Sequence, residues 1–188
     1  MKKWLTVFIL LLVIGILVFV FLLFRQRSNT PAVARTTHIE GKLVPPSNIS
    51  PKSFEIVALN EVESPNEKGK FSSRVYENGV TVVGAMIKDK EYGLISVIIT
   101  ENSKPKEELI IDSKTTASGL IFTTPFFATN NPERTEEILR IINNDPKVLT
   151  LTSFIENHFS EEFDFLDSPE YQQLAKESVE SVLETLNP

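Results

Sequence analysis

The chain of 188 residues contains no cysteine, which excludes a disulfide framework, a thiolate metal site and a lipid-attachment cysteine. An exported body of this kind holds its core without covalent staples, which suits a bacterial envelope protein better than a small disulfide-dense secreted domain. Glycine is scarce at seven residues, and none sits in a phosphate-cradling loop. There are two histidines, His38 and His158, with no HExxH pattern around either. No acidic residue precedes Glu40, so all 25 Asp and Glu lie in the later part of the chain. Internal repeats and low-complexity segments are also missing.

What is present first is a long apolar run. Trp4 to Phe24 carries no charge over 21 residues and is bracketed by Lys2-Lys3 and Arg25-Gln26-Arg27. At about 1.5 Å of rise per residue, a helix of that length crosses the roughly 30 Å hydrocarbon core of a bilayer. Trp4, Leu12, Gly15 and Phe24 mark the expected span, and membrane lipid is the expected partner of this segment. A cleaved secretory signal has an apolar core of only about 7–15 residues followed closely by a small-residue site. Ala32-Val33-Ala34 lies beyond Arg25 and Arg27, so the expectation is an uncleaved signal anchor, with a cleaved peptide starting at Arg35 as the alternative. Lys2 and Lys3 nearly balance Arg25, Arg27 and Arg35 across the membrane. The exported character of the body favours an N-terminus inside and an extracytoplasmic body in a bacterial envelope.

Beyond the anchor, 15 Lys and Arg face 25 Asp and Glu, a net charge near −10. This balance argues against nucleic acid and against a body lying flat on an anionic lipid surface. Four segments are expected: 1–27 as the transmembrane anchor with basic flanks, 28–37 as a tether, 38–111 as a β-sandwich domain and 112–188 as a helical domain. The expected fold class is α+β, a small antiparallel β-sandwich followed by a helical bundle.

The strand candidates are Ile39–Val44, Phe54–Leu59, Phe71–Tyr76, Val80–Ile87, Leu94–Thr100 and Glu108–Ile111, rich in β-branched residues and separated by turn formers. Asn78-Gly79 is the sharpest turn signal, both residues tolerating the positive φ of a tight hairpin. Between Ala117 and Phe127 the apolar run fits a buried helix or an extended segment, with Pro125 limiting a helix. Asn131-Pro132 and Ser168-Pro169 each read as a helix cap followed by proline at the first position, and Asp145-Pro146 opens a further helix. These helices carry Ile138, Leu139, Ile141 and Ile142, then Val148, Leu149, Leu151, Phe154, Ile155 and Phe159, then Tyr171, Leu174, Val179, Val182, Leu183 and Leu186. Leu109–Ile111 runs into the helical part without a flexible linker, so the two parts are expected to share an interface.

The strand region resembles the carboxypeptidase regulatory-like family, a transthyretin-like sandwich. The resemblance rests on Ile39-Glu-Gly-Lys-Leu-Val44, Phe54–Leu59, the turn Asn66-Glu-Lys-Gly-Lys-Phe71, Asn78-Gly79 with Val80–Ala85, and Tyr92-Gly93-Leu94. It covers residues 38–111. The acidic residue the family usually carries just before the turn glycine is missing or displaced to Glu67. The resemblance implies a non-catalytic spacer or binding scaffold, an analogy of fold rather than of site.

Chemistry-bearing motifs are few. His38 and His158 read as solvated and helix-terminal. Glu161, Glu162, Asp164 and Asp167 crowd into seven residues but lack the alternating ligands and central glycine of an EF-hand loop. Ser118 lacks the G-x-S-x-G elbow, and with Thr115, Thr116, Thr123 and Thr124 it suits bonding to a buried backbone. Phe126 and Phe127 read as core or as an apolar contact for an envelope protein partner. The sequence thus points to a non-catalytic, membrane-anchored envelope or surface protein with no cofactor and no metal. The alternative is an accessory or truncated part of a larger secreted enzyme associated with a peptidase.

Overall fold

A computed structural model describes residues 34–46, 49–160 and 165–186, and Arg35–Pro188 forms one compact unit. The expected span through Trp4, Leu12, Gly15 and Phe24 lies outside the described residues. Among the described residues, no helix is long and apolar enough to cross a membrane.

The fold is α+β. Eight strands come first: β1 (Thr36–Leu43), β2 (Phe54–Ala58), β3 (Glu61–Glu63), β4 (Lys70–Tyr76), β5 (Gly79–Ile87), β6 (Gly93–Glu101), β7 (Lys104–Pro105) and β8 (Leu109–Ile111). Four helices follow: α1 (Ser113–Phe122), α2 (Pro132–Asn144), α3 (Pro146–His158) and α4 (Pro169–Leu186). The strands form a three-stranded sheet in the order β4-β1-β8 and a five-stranded sheet in the order β3-β2-β5-β6-β7. Alternation sets the buried face of each strand: Phe54, Ile56 and Ala58 on β2, and Phe71, Ser73 and Val75 on β4. One apolar core joins both sheets to the helices, from Leu43 and Val83 through Ile121 and Ile142 to Val182.

Two features depart from an antiparallel sandwich with a hairpin at Asn78-Gly79. First, β1 pairs with β8 in parallel, Gly41 opposite Leu109 and Leu43 opposite Ile111. The chain reaches β8 by crossing from the other sheet, and only such a crossover permits parallel pairing. Second, β4 and β5 belong to different sheets, so Asn78-Gly79 makes a corner between sheets and no hairpin. Only Gly79 of the two has positive φ (139°). The corner is fixed by side chains: Thr81 Oγ1 accepts from the Tyr76 N–H (3.1 Å), and Asn78 Oδ1 accepts from the Asn102 N–H (2.7 Å). The tight two-residue turns lie elsewhere, at Leu59-Asn60 (φ 45° and 66°) and Asn102-Ser103 (φ 51° and 65°), joining β2 to β3 and β6 to β7.

The turn at Asn66–Phe71 has the expected form. Asn66 Oδ1 accepts from the N–H groups of Lys68 (2.9 Å) and Lys70 (3.0 Å), Gly69 takes φ 75°, and Phe71 is buried.

The helix starts follow their caps. Asn131 Oδ1 accepts from the Arg134 N–H at the head of α2, and Asp145 Oδ1 accepts from Lys147 and Val148 N–H at the head of α3. Ser168 Oγ accepts from the Tyr171 N–H at the head of α4. The segment left open between helix and extended chain is helical as α1, started by a reciprocal capping box between Asp112 and Thr115 and ended three residues before Pro125. Ser113, Thr116, Ala117, Ser118, Gly119, Ile121 and Phe122 are all buried, because α1 packs on β6 and on α2, α3 and α4 at once. A helix buried on most of its surface has little polar stripe, which is why its period was unreadable. Leu149, on the apolar list for α3, faces solvent at 47% exposure.

Candidate functional site

The best-formed concavity lies where α1 and α2 meet the edge of the five-stranded sheet, a cleft of about 330 Å³. Its floor is β6 from Ser96 to Ile99, and its walls come from Thr115, Ser118 and Gly119 on α1, from Glu136 to Asn144 on α2, and from Lys106–Glu108 before β8. The volume is at the low end of small-ligand clefts.

The cleft exists because β7 is only two residues long. It pairs with β6 at Thr100 and Glu101 alone, leaving the earlier edge of β6 without a strand. Helix α1 covers part of that edge through Thr116, which is fully buried. Its Oγ1 accepts from the Ile95 N–H (3.1 Å) and lies 3.3 Å from the Ile95 carbonyl, while its proton goes to the Asp112 carbonyl at 2.6 Å. Gly119 makes this approach possible, since a Cβ there would stand 3.0 Å from Ile95 Cγ1. Replacing the hydroxyl by a methyl in Thr116→Val strands the Ile95 amide in the interior. The expected loss is about 1–3 kcal/mol, measured by chemical denaturation; an unchanged midpoint would remove the bridge from the account.

Polar groups line the remaining wall. The Ser118 hydroxyl donates to Asn143 Oδ1 (2.6 Å), which ties α1 to α2 and engages the hydroxyl with an amide rather than a base. Lys106 Nζ donates to Glu136 Oε2 (2.5 Å), joining the β7–β8 segment to α2. This hydrogen bond, opposed by desolvation and assisted by the charges of Glu136, Glu101 and Glu133, raises the Lys106 pKa above the ordinary lysine value. Arg140 is exposed on the same wall and takes part in no ion pair among the described residues.

A second, more open concavity lies on the other side of α1, between Val44, Asp112, Ser113, Glu156 and Asn157. There the Ser113 hydroxyl donates to Glu156 Oε2 in a short bond.

The residues singled out from sequence are scattered. Phe126 is 69% exposed while Phe127 is buried at 2%, so the pair divides between surface and core. His38 Nε2 stands 3.3 Å from Glu61, and His158 stacks on Phe154 with its Nδ1 2.9 Å from the Phe154 carbonyl. Glu161, Glu162 and Asp164 lie outside the described residues. Among the described residues, no three histidine or carboxylate side chains gather as a metal site. The expected bonding of the Ser and Thr residues to backbone holds for Thr115, Thr116, Thr123 and Thr124, whereas Ser118 bonds a side chain. Val97, Arg140 and Asn143, which shape the cleft, carried no sequence signal. Each is an ordinary strand or helix residue until β7 stops short.

No protein-family model matches the chain, and no relative was found among curated proteins.

Proposed function

We propose that the chain is a non-catalytic, single-pass membrane protein of a bacterial envelope, whose extracytoplasmic body binds another envelope component. Residues 1–27 serve as the anchor, 28–37 as the tether, 38–111 as a transthyretin-like sandwich of the carboxypeptidase regulatory-like kind, and 112–188 as a helical module packed on it. The observation that carries the binding role is the cleft at the β6 edge. It combines strand backbone, amide and guanidinium groups, the chemistry of recognition, and the buried Ser118 hydroxyl of its wall is held by an amide and not by a base. The anchor rests on the uncharged 21-residue run between Lys3 and Arg25.

Fractionation of cells expressing the full chain tests this. The protein should resist carbonate extraction, keep its N-terminal mass and be digested by protease added outside the cytoplasmic membrane. Solubilised in detergent, it should hold a stoichiometric envelope partner through washing. A mature form beginning at Arg35 sinks the anchor, and a body that retains no partner sinks the binding role.

A further inference from the structure

The floor of the β6 cleft is a strand edge closed at both ends. At one end Thr116 Oγ1 accepts the Ile95 N–H; at the other the Ile99 carbonyl accepts the Lys106 N–H (2.9 Å). Backbone groups of a strand alternate in direction, so Val97 turns its N–H and C=O to the same side as Ile95 and Ile99. The Ile99 N–H points the same way. On that side β6 pairs only with β7, at Thr100 and Glu101. Three residues, Ser96 to Ile98, lie between the two closures, and the four rises from Ile95 to Ile99 span about 13 Å at near 3.3 Å per residue.

A long strand cannot run through such a gap, because α1 blocks one end and the Lys106 segment the other. A chain end can enter it. The donors that face the gap are the N–H groups of Val97 and Ile99, the Asn143 amide nitrogen left over after Oδ1 is taken by Ser118, and the Arg140 guanidinium. Lys106 is already held by Glu136. Glu107 and Glu108 join Glu136 to bring the lining to three carboxylates against two cations, a balance that disfavours a polyanion and leaves Arg140 as the cation able to pair with a single carboxylate.

We propose that this cleft captures the C-terminus of a partner polypeptide. Its last three residues or so, matching the three that lie between the closures, extend along β6 and exchange hydrogen bonds with Val97, while the terminal carboxylate pairs with Arg140. This names the partner chemistry of the binding role proposed above and rests on it.

The test uses the full chain, ¹⁵N-labelled in detergent micelles and titrated with acetyl-Val-Val-Ala bearing a free carboxylate, to about 10 mM. The amides of Val97 and Ile99 should shift, and their hydrogen exchange should slow by about tenfold or more. Amidating the peptide's C-terminus, or the exposed substitution Arg140→Gln, should weaken binding by about fivefold or more, as loss of a charge-assisted bond does. No response at Val97 and Ile99 overturns the proposal, and so does an equal response to acetate alone, which denotes a simple anion site. A chain that holds an envelope partner yet shows no response at Val97 loses only the C-terminal mode. One that holds no partner and shows no response loses the binding role as well.

Discussion

Phe159→Ala should destabilise the body by about 3–5 kcal/mol, the range for deleting a buried aromatic ring. Phe159 follows the last turn of α3 and is 2% exposed. Its ring stacks on Phe54 of β2 with centroids 6.0 Å apart, meets Tyr92 edge-on at 6.2 Å, and meets Phe165 at 5.7 Å; Phe165 in turn meets Tyr171 of α4 edge-on at 5.4 Å. One ring therefore links the five-stranded sheet to the last helix. A cavity left there cannot be filled by a shift of one element without loosening another. For a body of this size the melting temperature should fall by roughly 6–20 °C, taking about 2–4 °C per kcal/mol. Circular dichroism should show strand and helix signals melting together at the lower temperature. A helical part that melts alone while the sheets persist would falsify this linkage and make 112–188 an independent domain. So would a loss below about 1 kcal/mol, the size of an ordinary surface change.

The second large effect is at Gly69. Its φ of 75° disfavours any side chain, and a Cβ built there would stand 2.1 Å from the Leu43 carbonyl oxygen. The same glycine's carbonyl accepts the Leu43 N–H at 2.8 Å, so β1 and the turn cannot separate to make room without losing that bond. Gly69→Ala combines left-handed strain of about 1–2 kcal/mol with overpacking of about 1–3 kcal/mol. Gly79→Ala is the matched comparison. Its φ of 139° is also unfavourable, but the nearest atom to its Cβ is Tyr76 Cβ at 3.9 Å. The loss at Gly69 should exceed that at Gly79 by at least about 1 kcal/mol in urea titration, the overpacking share alone. Equal losses would mean that conformation, and not the close approach to Leu43, fixes the turn.

The sequence was most readable where a local rule acts alone. Six strands announced themselves by β-branched runs between turn formers, and α2 and α4 by a capping side chain followed by proline. The corner at Asn78-Gly79 misled because the dipeptide satisfies the hairpin rule locally, while Thr81, Thr100 and Asn102 pull β5 into the other sheet. Strands β3 and β7 escaped notice because Glu-Val-Glu and Lys-Pro are too short and too polar to show a period. The cleft was invisible for a different reason. Its floor is main chain, and floor and walls together come from four segments spread between Ser96 and Asn144. No single short window of sequence contains both the strand floor and the helical walls. Thr116 is the partial exception, since a buried threonine on an apolar helix suggests a bond to neighbouring backbone, though not to which strand.

The short β7 and the Thr116 bridge also bear on how copies of this protein behave when crowded together. A sheet with a long bare edge recruits the same edge of its neighbours and seeds aggregates. Here one end of the five-stranded sheet is β3, three residues with Glu61 and Glu63 on it. At the other end, α1 and the Lys104-Pro105 hairpin leave less than the length of a strand uncovered. Two copies meeting through the five-stranded sheet therefore find no continuous ladder to zip at either of its edges.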